Sequence, residues 1–203
     1  MNEVELLKLA LSGDVEAQVD LGSMYFCQKD YPNALKWLNE AASKNHPDAL
    51  MILGCHYYGR DGVQEDLAKS FELLNKASKY GQPNADVHLA EFFFYGDIVE
   101  QDSQIGQLIL ANAANNKHCG LAANVLADIL YFGIHKVGID HKKAIQWHKK
   151  AFELGNSVSA YRLWQIYEGR FDPRELNPKK AYRWARIVLQ LLDEGKLDDE
   201  DFN

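Results

Sequence analysis

Apolar and small residues recur along this chain at steps of four and eight, and the whole pattern repeats at intervals of 32, 36, 37 and 37 residues. A Leu beside a small residue marks each copy: Leu21-Gly22, Leu53-Gly54, Leu89-Ala90 and Leu126-Ala127, with Leu163-Trp164 as a degenerate fifth. Four residues earlier stands Ala17, Ala49, Ala85, Ala122 or Ser159, and four later Tyr25, Tyr57, Phe93, Leu130 or Tyr167. These steps place all three positions on one helical face. Gly inside a helix costs roughly 1 kcal/mol relative to Ala, so Gly22 and Gly54 predict another helix packed closely there.

A second helix in each copy has its own start signal. Asp30, Asp66, Asp102, Asp140 and Asn177 stand four residues before Ala34, Ser70, Gly106, Ala144 and Ala181. Asp and Asn are good N-caps, and Pro178 suits a first helical turn. Three residues past the small positions come Trp37, Leu73, Ile109, Trp147 and Trp184, a bulky row expected to be buried. Eight residues before each Leu of the first helices stand Gly13, Asn45, Gly81, His118 and Gly155. These residue types tolerate the left-handed conformation that ends a helix. The pattern predicts an all-α chain, with a short helix near Glu3–Ala10 followed by five antiparallel helix pairs.

The motif Ala-x3-Leu-Gly-x2-Tyr followed by Gly-x2-Gly-Val-x2-Asp-x2-Lys resembles the Sel1-like repeat family, relatives of the tetratricopeptide repeats. The second copy carries it most fully, through Ala49, Leu53, Gly54, Tyr57, Gly59, Gly62, Val63, Asp66, Lys69, Lys76-Ala77 and Gly81. The resemblance implies a right-handed α-α superhelix of about five helix pairs. It is read as a single solenoid domain over residues 1–203, with repeats at about 14–45, 46–81, 82–118, 119–155 and 156–192 and an acidic tail at 193–203. Some secreted bacterial Sel1-like proteins carry a cysteine pair per repeat, with β-lactam or peptidoglycan-related hydrolysis proposed for them. Cys27, Cys55 and Cys119 form no such pairs and no Ser-x2-Lys is present, which disfavours that alternative.

Charge and composition narrow the function further. The chain carries −7, of which residues 193–203 contribute −5, leaving −2 for the repeats. The tail reads as a solvated, frayed end that protects the stack from self-association. An acidic chain without a basic stripe disfavours nucleic acid as a partner. No apolar run reaches the 18 or so residues of a membrane span, and the first residues lack the order of a signal peptide, so a cytoplasmic location is the default expectation.

No phosphate-cradling Gly loop, metalloprotease motif or nucleophile elbow is found, so no catalytic residue, metal or cofactor is expected. His135, His141 and His148, spaced six and seven apart, read as loop and solvent-facing helix residues rather than metal ligands. The first-helix positions opposite the expected core then supply the candidate partner face: Glu91, Tyr95, Asp128, Phe132, Tyr161, Phe94, Tyr131 and Tyr58. Each copy gives that face one carboxylate and no Lys or Arg, which fits a protein partner with basic and apolar side chains. The row Phe26, Tyr58, Phe94 and Tyr131 admits a packing reading as well, since each ring lies four residues after a small residue and helical side chains lean back over that gap. The expected role is a non-enzymatic binding module, an adaptor or a specific inhibitor of one protein, with bacterial toxin-neutralising immunity proteins among its small Sel1-like counterparts.

Overall fold

The computed structural model describes residues 3–59 and 64–198. Among them are eleven α-helices and no strand. Helix α1 (Glu3–Leu11) precedes the pairs α2 (Val15–Cys27) with α3 (Tyr31–Ser43), α4 (Pro47–Tyr57) with α5 (Leu67–Lys79), α6 (Ala85–Tyr95) with α7 (Ser103–Asn116), α8 (Gly120–Phe132) with α9 (His141–Glu153), and α10 (Val158–Tyr167) with α11 (Pro178–Asp193). Short 3-10 turns occupy Ile134–Lys136 and Pro173–Glu175. The expected all-α solenoid of five helix pairs is the observed architecture. Gly62 and Val63 of the repeat motif lie outside the described residues. The chain forms two compact units, Met1–Ile109 and Leu110–Asn203, with the division falling inside α7.

Local chemistry sets the helix ends. The side chains of Asp30, Asp66, Asp102, Asp140 and Asn177 accept the backbone N–H groups of Asn33, Lys69, Ile105, Lys143 and Lys180. Each such cap is worth about 1 kcal/mol and fixes where a second helix begins. At the predicted stops all five residues have positive φ, including the non-glycines Asn45 at 60° and His118 at 54°.

The helix pairs close on the small residues. In the first unit a Cβ added to Gly22 would lie 2.6 Å from Leu38 Cγ, and one added to Gly54 would lie 2.7 Å from Leu74 Cγ. Glycine thus lets two fully buried leucines rest on the backbone of the preceding helix. Leu74 continues into a cluster with Leu50, Ala77, Ala85, Leu89 and Phe92, through which α6 packs on the second pair. Gly106 serves the same end by a different route, because a Cβ there would meet the Phe94 ring at 2.6 Å.

Two expectations change. Of the row Trp37, Leu73, Ile109, Trp147 and Trp184, only Trp37 is buried and the others are half-buried. The buried row lies one residue later, at Leu38, Leu74, Leu110 and His148, each 0 % exposed. That position falls one turn beyond Ala34, Ser70, Gly106 and Ala144 on the same helical face, the face turned to the partner helix. The described start of the tail, up to Asp198, also departs from a frayed end. After Gly195 turns the chain with a φ of 65°, Lys196 N–H donates to the Leu191 carbonyl and Leu197 packs, 4 % exposed, with Ala160, Tyr161, Val188 and Leu191. Asp199, Glu200 and Asp201 lie outside the described residues.

Gly54→Ala and Gly106→Ala test the close approach. Helix propensity alone would stabilise each variant by about 1 kcal/mol, whereas overpacking costs about 1–3 kcal/mol. Urea midpoints of both variants are expected to fall, and a rise would show that neither helix contact is tight.

Candidate functional site

In the first unit the candidate face residues separate by burial. Phe94 is 2 % exposed and belongs to the core over Gly106, so for this ring the packing reading holds. Tyr58 is half-buried with its ring edge-on to Phe92 at 5.2 Å, and its hydroxyl donates to Asp97 Oδ2 at 2.8 Å. Tyr95 is the outward ring, 57 % exposed. Glu91 is half-buried, 3.5 Å from Nδ1 of His88 one helical turn earlier. The neighbouring Cys55 and Glu91 side chains, against a smaller opposing effect of burial, raise the His88 pKa to about 9.

In the second unit the structure assembles a denser group. Tyr131 and Phe132 at the end of α8 meet Phe171 from the loop after α10, with ring centroids 5.9 and 5.2 Å away, and Tyr131 stacks on His141 at 4.3 Å. The Arg162 guanidinium lies 5.7 Å from the Phe132 ring and 5.5 Å from that of Phe171, within cation–π range. Its Nε is 3.1 Å from Asp128 Oδ1, and its Nη1 donates to Gln165. Burial raises the Asp128 pKa while Arg162 opposes the rise. Asp172 receives a bidentate bond from Arg174, which holds its carboxyl well below the usual carboxylate range. His141 Nδ1 lies 3.6 Å from both Asp172 and Glu175.

Exposure then sorts these residues. Phe132 is 41 % and Phe171 37 % exposed, whereas Tyr131 and Tyr161 are buried. The expectation that Tyr161 faces outward is therefore corrected: it packs in the Val188–Leu191–Leu197 cluster because Leu197 folds over it. The expected all-acidic surface also changes, since Arg162 pairs with Asp128. Arg162 lies outside the helical offsets that define the sequence-predicted face, and Phe171 lies in a loop, so periodicity gives no signal for either.

His148 is a correction as well. Instead of facing solvent it occupies the leucine position of the buried row, with Nε2 3.6 Å from Asp128 Oδ1. Both ring nitrogens lack a hydrogen-bond partner. Desolvation, with the Arg162 charge adding to it, lowers its pKa to about 3, so it is neutral across the physiological range. Among the described residues no group of three or more His, Cys, Asp or Glu side chains is placed to hold a metal ion, and no helix is long and apolar enough to cross a membrane.

This geometry is that of a helix-pair repeat protein-interaction module, an all-α stack with side chains displayed from its first helices. The chain belongs to the Sel1 repeat family, whose repeat model matches residues 15–46, 47–81, 83–118, 120–156 and 159–187. It is 28% identical over 167 residues to the chitin synthase regulator SKT5 of Saccharomyces cerevisiae, a match covering 77% of this chain and 24% of that protein. The chain thus spans about a quarter of that relative's length. A Sel1 repeat protein from Oxalobacter formigenes superposes with a TM-score of 0.73 at 26% identity, covering 91% of this chain and 76% of that one. An immunity protein from Pseudomonas aeruginosa shares the fold with a TM-score of 0.67 at 19% identity, covering 97% and 75%.

His148 generates a pH prediction. Its folded pKa lies below its unfolded value near 6.5, so the unfolded chain binds the extra proton and stability falls as pH drops from about 6.5 toward 3. His148→Leu supplies the leucine found at this position in the first three copies and is expected to raise stability by about 1–3 kcal/mol by removing unsatisfied buried nitrogens. Melting curves between pH 7 and 4 should show a shallower acid loss in the variant. An unchanged slope would contradict this.

Proposed function

We propose that this protein is a non-enzymatic adaptor or specific inhibitor that holds one protein partner on its first-helix face, with the second-unit group Phe132, Phe171 and Arg162 as the anchor. The carrying observation is two half-exposed aromatic rings set edge to face beside an arginine whose charge is already matched by Asp128. Aromatic and Arg side chains held by their own packing lose little entropy on binding, which is why such groups dominate interface energetics. Glu168 and Glu175 lie on the same stretch of chain, and Asp172 stays ionised beside them. This supports a partner that brings an apolar side chain to the rings and basic residues around it. Within the first unit, Tyr95 and Glu91 are proposed as a separate contact of their own. The toxin-neutralising role is the inhibitor form of this reading, and it is separated from an adaptor role by whether the purified partner loses its own activity on binding.

The test is affinity capture from the native cell, followed by titration of the captured partner against Phe132→Ala and Phe171→Ala. Each is expected to weaken binding by about 2 kcal/mol, roughly thirtyfold, with little change in melting temperature because both rings are partly exposed. Lys142→Ala, on the exposed side of α9, should leave affinity unchanged. Equal affinities for wild type and both Phe variants would overturn the assignment.

A further inference from the structure

In the second unit, α9 and α11 flank a groove whose charge opposes that of the chain as a whole. Its apolar lining is Phe152 of α9 and Trp184 of α11, with ring centroids 5.3 Å apart edge to face, together with Ile187, all half-buried. Lys149 of α9 and Lys180 and Arg183 of α11 stand exposed around its volume of about 350 Å³, and Arg186 is exposed one turn further along. The Lys180 ammonium lies 4.7 Å from the Tyr167 ring centroid, which holds it at the groove's edge. Glu153 is an exposed acid on the same lining. The chain has 29 acidic against 22 basic residues, and elsewhere its cations find acids: Lys76 with Glu72, Lys143 with Asp140, Arg162 with Asp128 and Arg174 with Asp172. Among the described residues, none of the four groove cations has an acidic partner. Helix α11 gathers its cations against its own stability. Lys179, Lys180, Arg183 and Arg186 follow at steps of three and four, where like charges repel, and both lysines fall in a first turn without an acid, at the positive end of the helix dipole. Its cap, Asn177, is neutral where the other four second helices have Asp. The result is a positive field over an apolar groove.

We propose that the groove between α9 and α11 is a second interaction surface, which takes an acidic peptide segment of a protein partner carrying an aromatic or large aliphatic residue. The apolar side chain packs against Phe152, Trp184 and Ile187. Flanking Asp or Glu carboxylates meet Lys149, Lys180, Arg183 and Arg186, the guanidinium groups offering paired N–H donors that match a carboxylate. An anionic membrane or duplex DNA fits the observations less well, because the apolar lining serves a side chain rather than a headgroup or phosphate, and the net charge of −7 repels extended polyanions. The surface lies on second helices and is independent of the first-helix group Phe132, Phe171 and Arg162.

The experiment titrates the full chain into a fluorescein-labelled peptide of alternating Glu and Asp with one central Phe, at low and physiological salt, and reads fluorescence anisotropy. Saturable binding that weakens with salt is expected, because the groove cations are exposed. Arg183→Glu should weaken it by about tenfold or more, whereas Lys79→Glu, the same charge change at an exposed position of the first unit, should alter it by less than about twofold. Replacing the peptide's Phe by Gly should cost about fivefold. Circular dichroism checks that both variants keep their helices; if Arg183→Glu does not, Arg186→Glu is expected to weaken binding by about threefold and takes its place. Phosphatidylserine vesicles and a duplex DNA oligonucleotide are run alongside, with binding weaker than that of the peptide expected for both. Absence of saturable peptide binding, equal losses in the groove and Lys79 variants, an affinity indifferent to the peptide's Phe, or tighter binding of vesicles or DNA overturns the proposal.

Discussion

The structure depends on how closely two helices of a pair can approach. Leu38 and Leu74 reach the backbone of the preceding helix only because Gly22 and Gly54 have no Cβ, and an added methyl would stand well inside van der Waals distance. Burial of a leucine contributes about 1.5–3 kcal/mol, more than the roughly 1 kcal/mol that a helical glycine costs. The balance favours the pair. Once the approach is fixed, the caps at Asp30 and Asp66 only set where the second helices begin, and the first helices are left to display the opposite side.

The second unit relaxes this arrangement where its chemistry concentrates. His148 takes the leucine position beside Asp128, and Asp128 pairs with Arg162, whose guanidinium lies by Phe132 and Phe171. A buried polar group with unmatched nitrogens is a cost that a leucine would avoid. The chain accepts that cost at a residue linked to the two exposed rings through Asp128 and Arg162. Local violations of the packing rules of this kind concentrate where a structure serves something other than stability.

Much of this was legible from residue spacing. The five N-caps, the five left-handed stops and the small residues at Gly22 and Gly54 follow from local rules that depend on a few neighbouring residues, and the structure places each where the pattern predicts. The helical wheel also located Tyr95 and Phe132 as outward rings. It failed where the outcome depends on neighbours distant in sequence. Tyr161 is covered by Leu197, and the Asp128 charge is matched by an arginine 34 residues further along the chain. The bulky second-helix row was displaced by one residue because burial follows the face shared with the small positions rather than the size of the side chain.

Hydrogen–deuterium exchange of the chain with and without its captured partner tests the central claim most directly, since it reads the whole surface without altering a residue. The account predicts slowed exchange on binding at the end of α8 around Phe132 and through the α10 segment up to Phe171. Protection confined to the exposed sides of the second helices, α9 and α11, with the α8 and α10 segments unchanged, would contradict it.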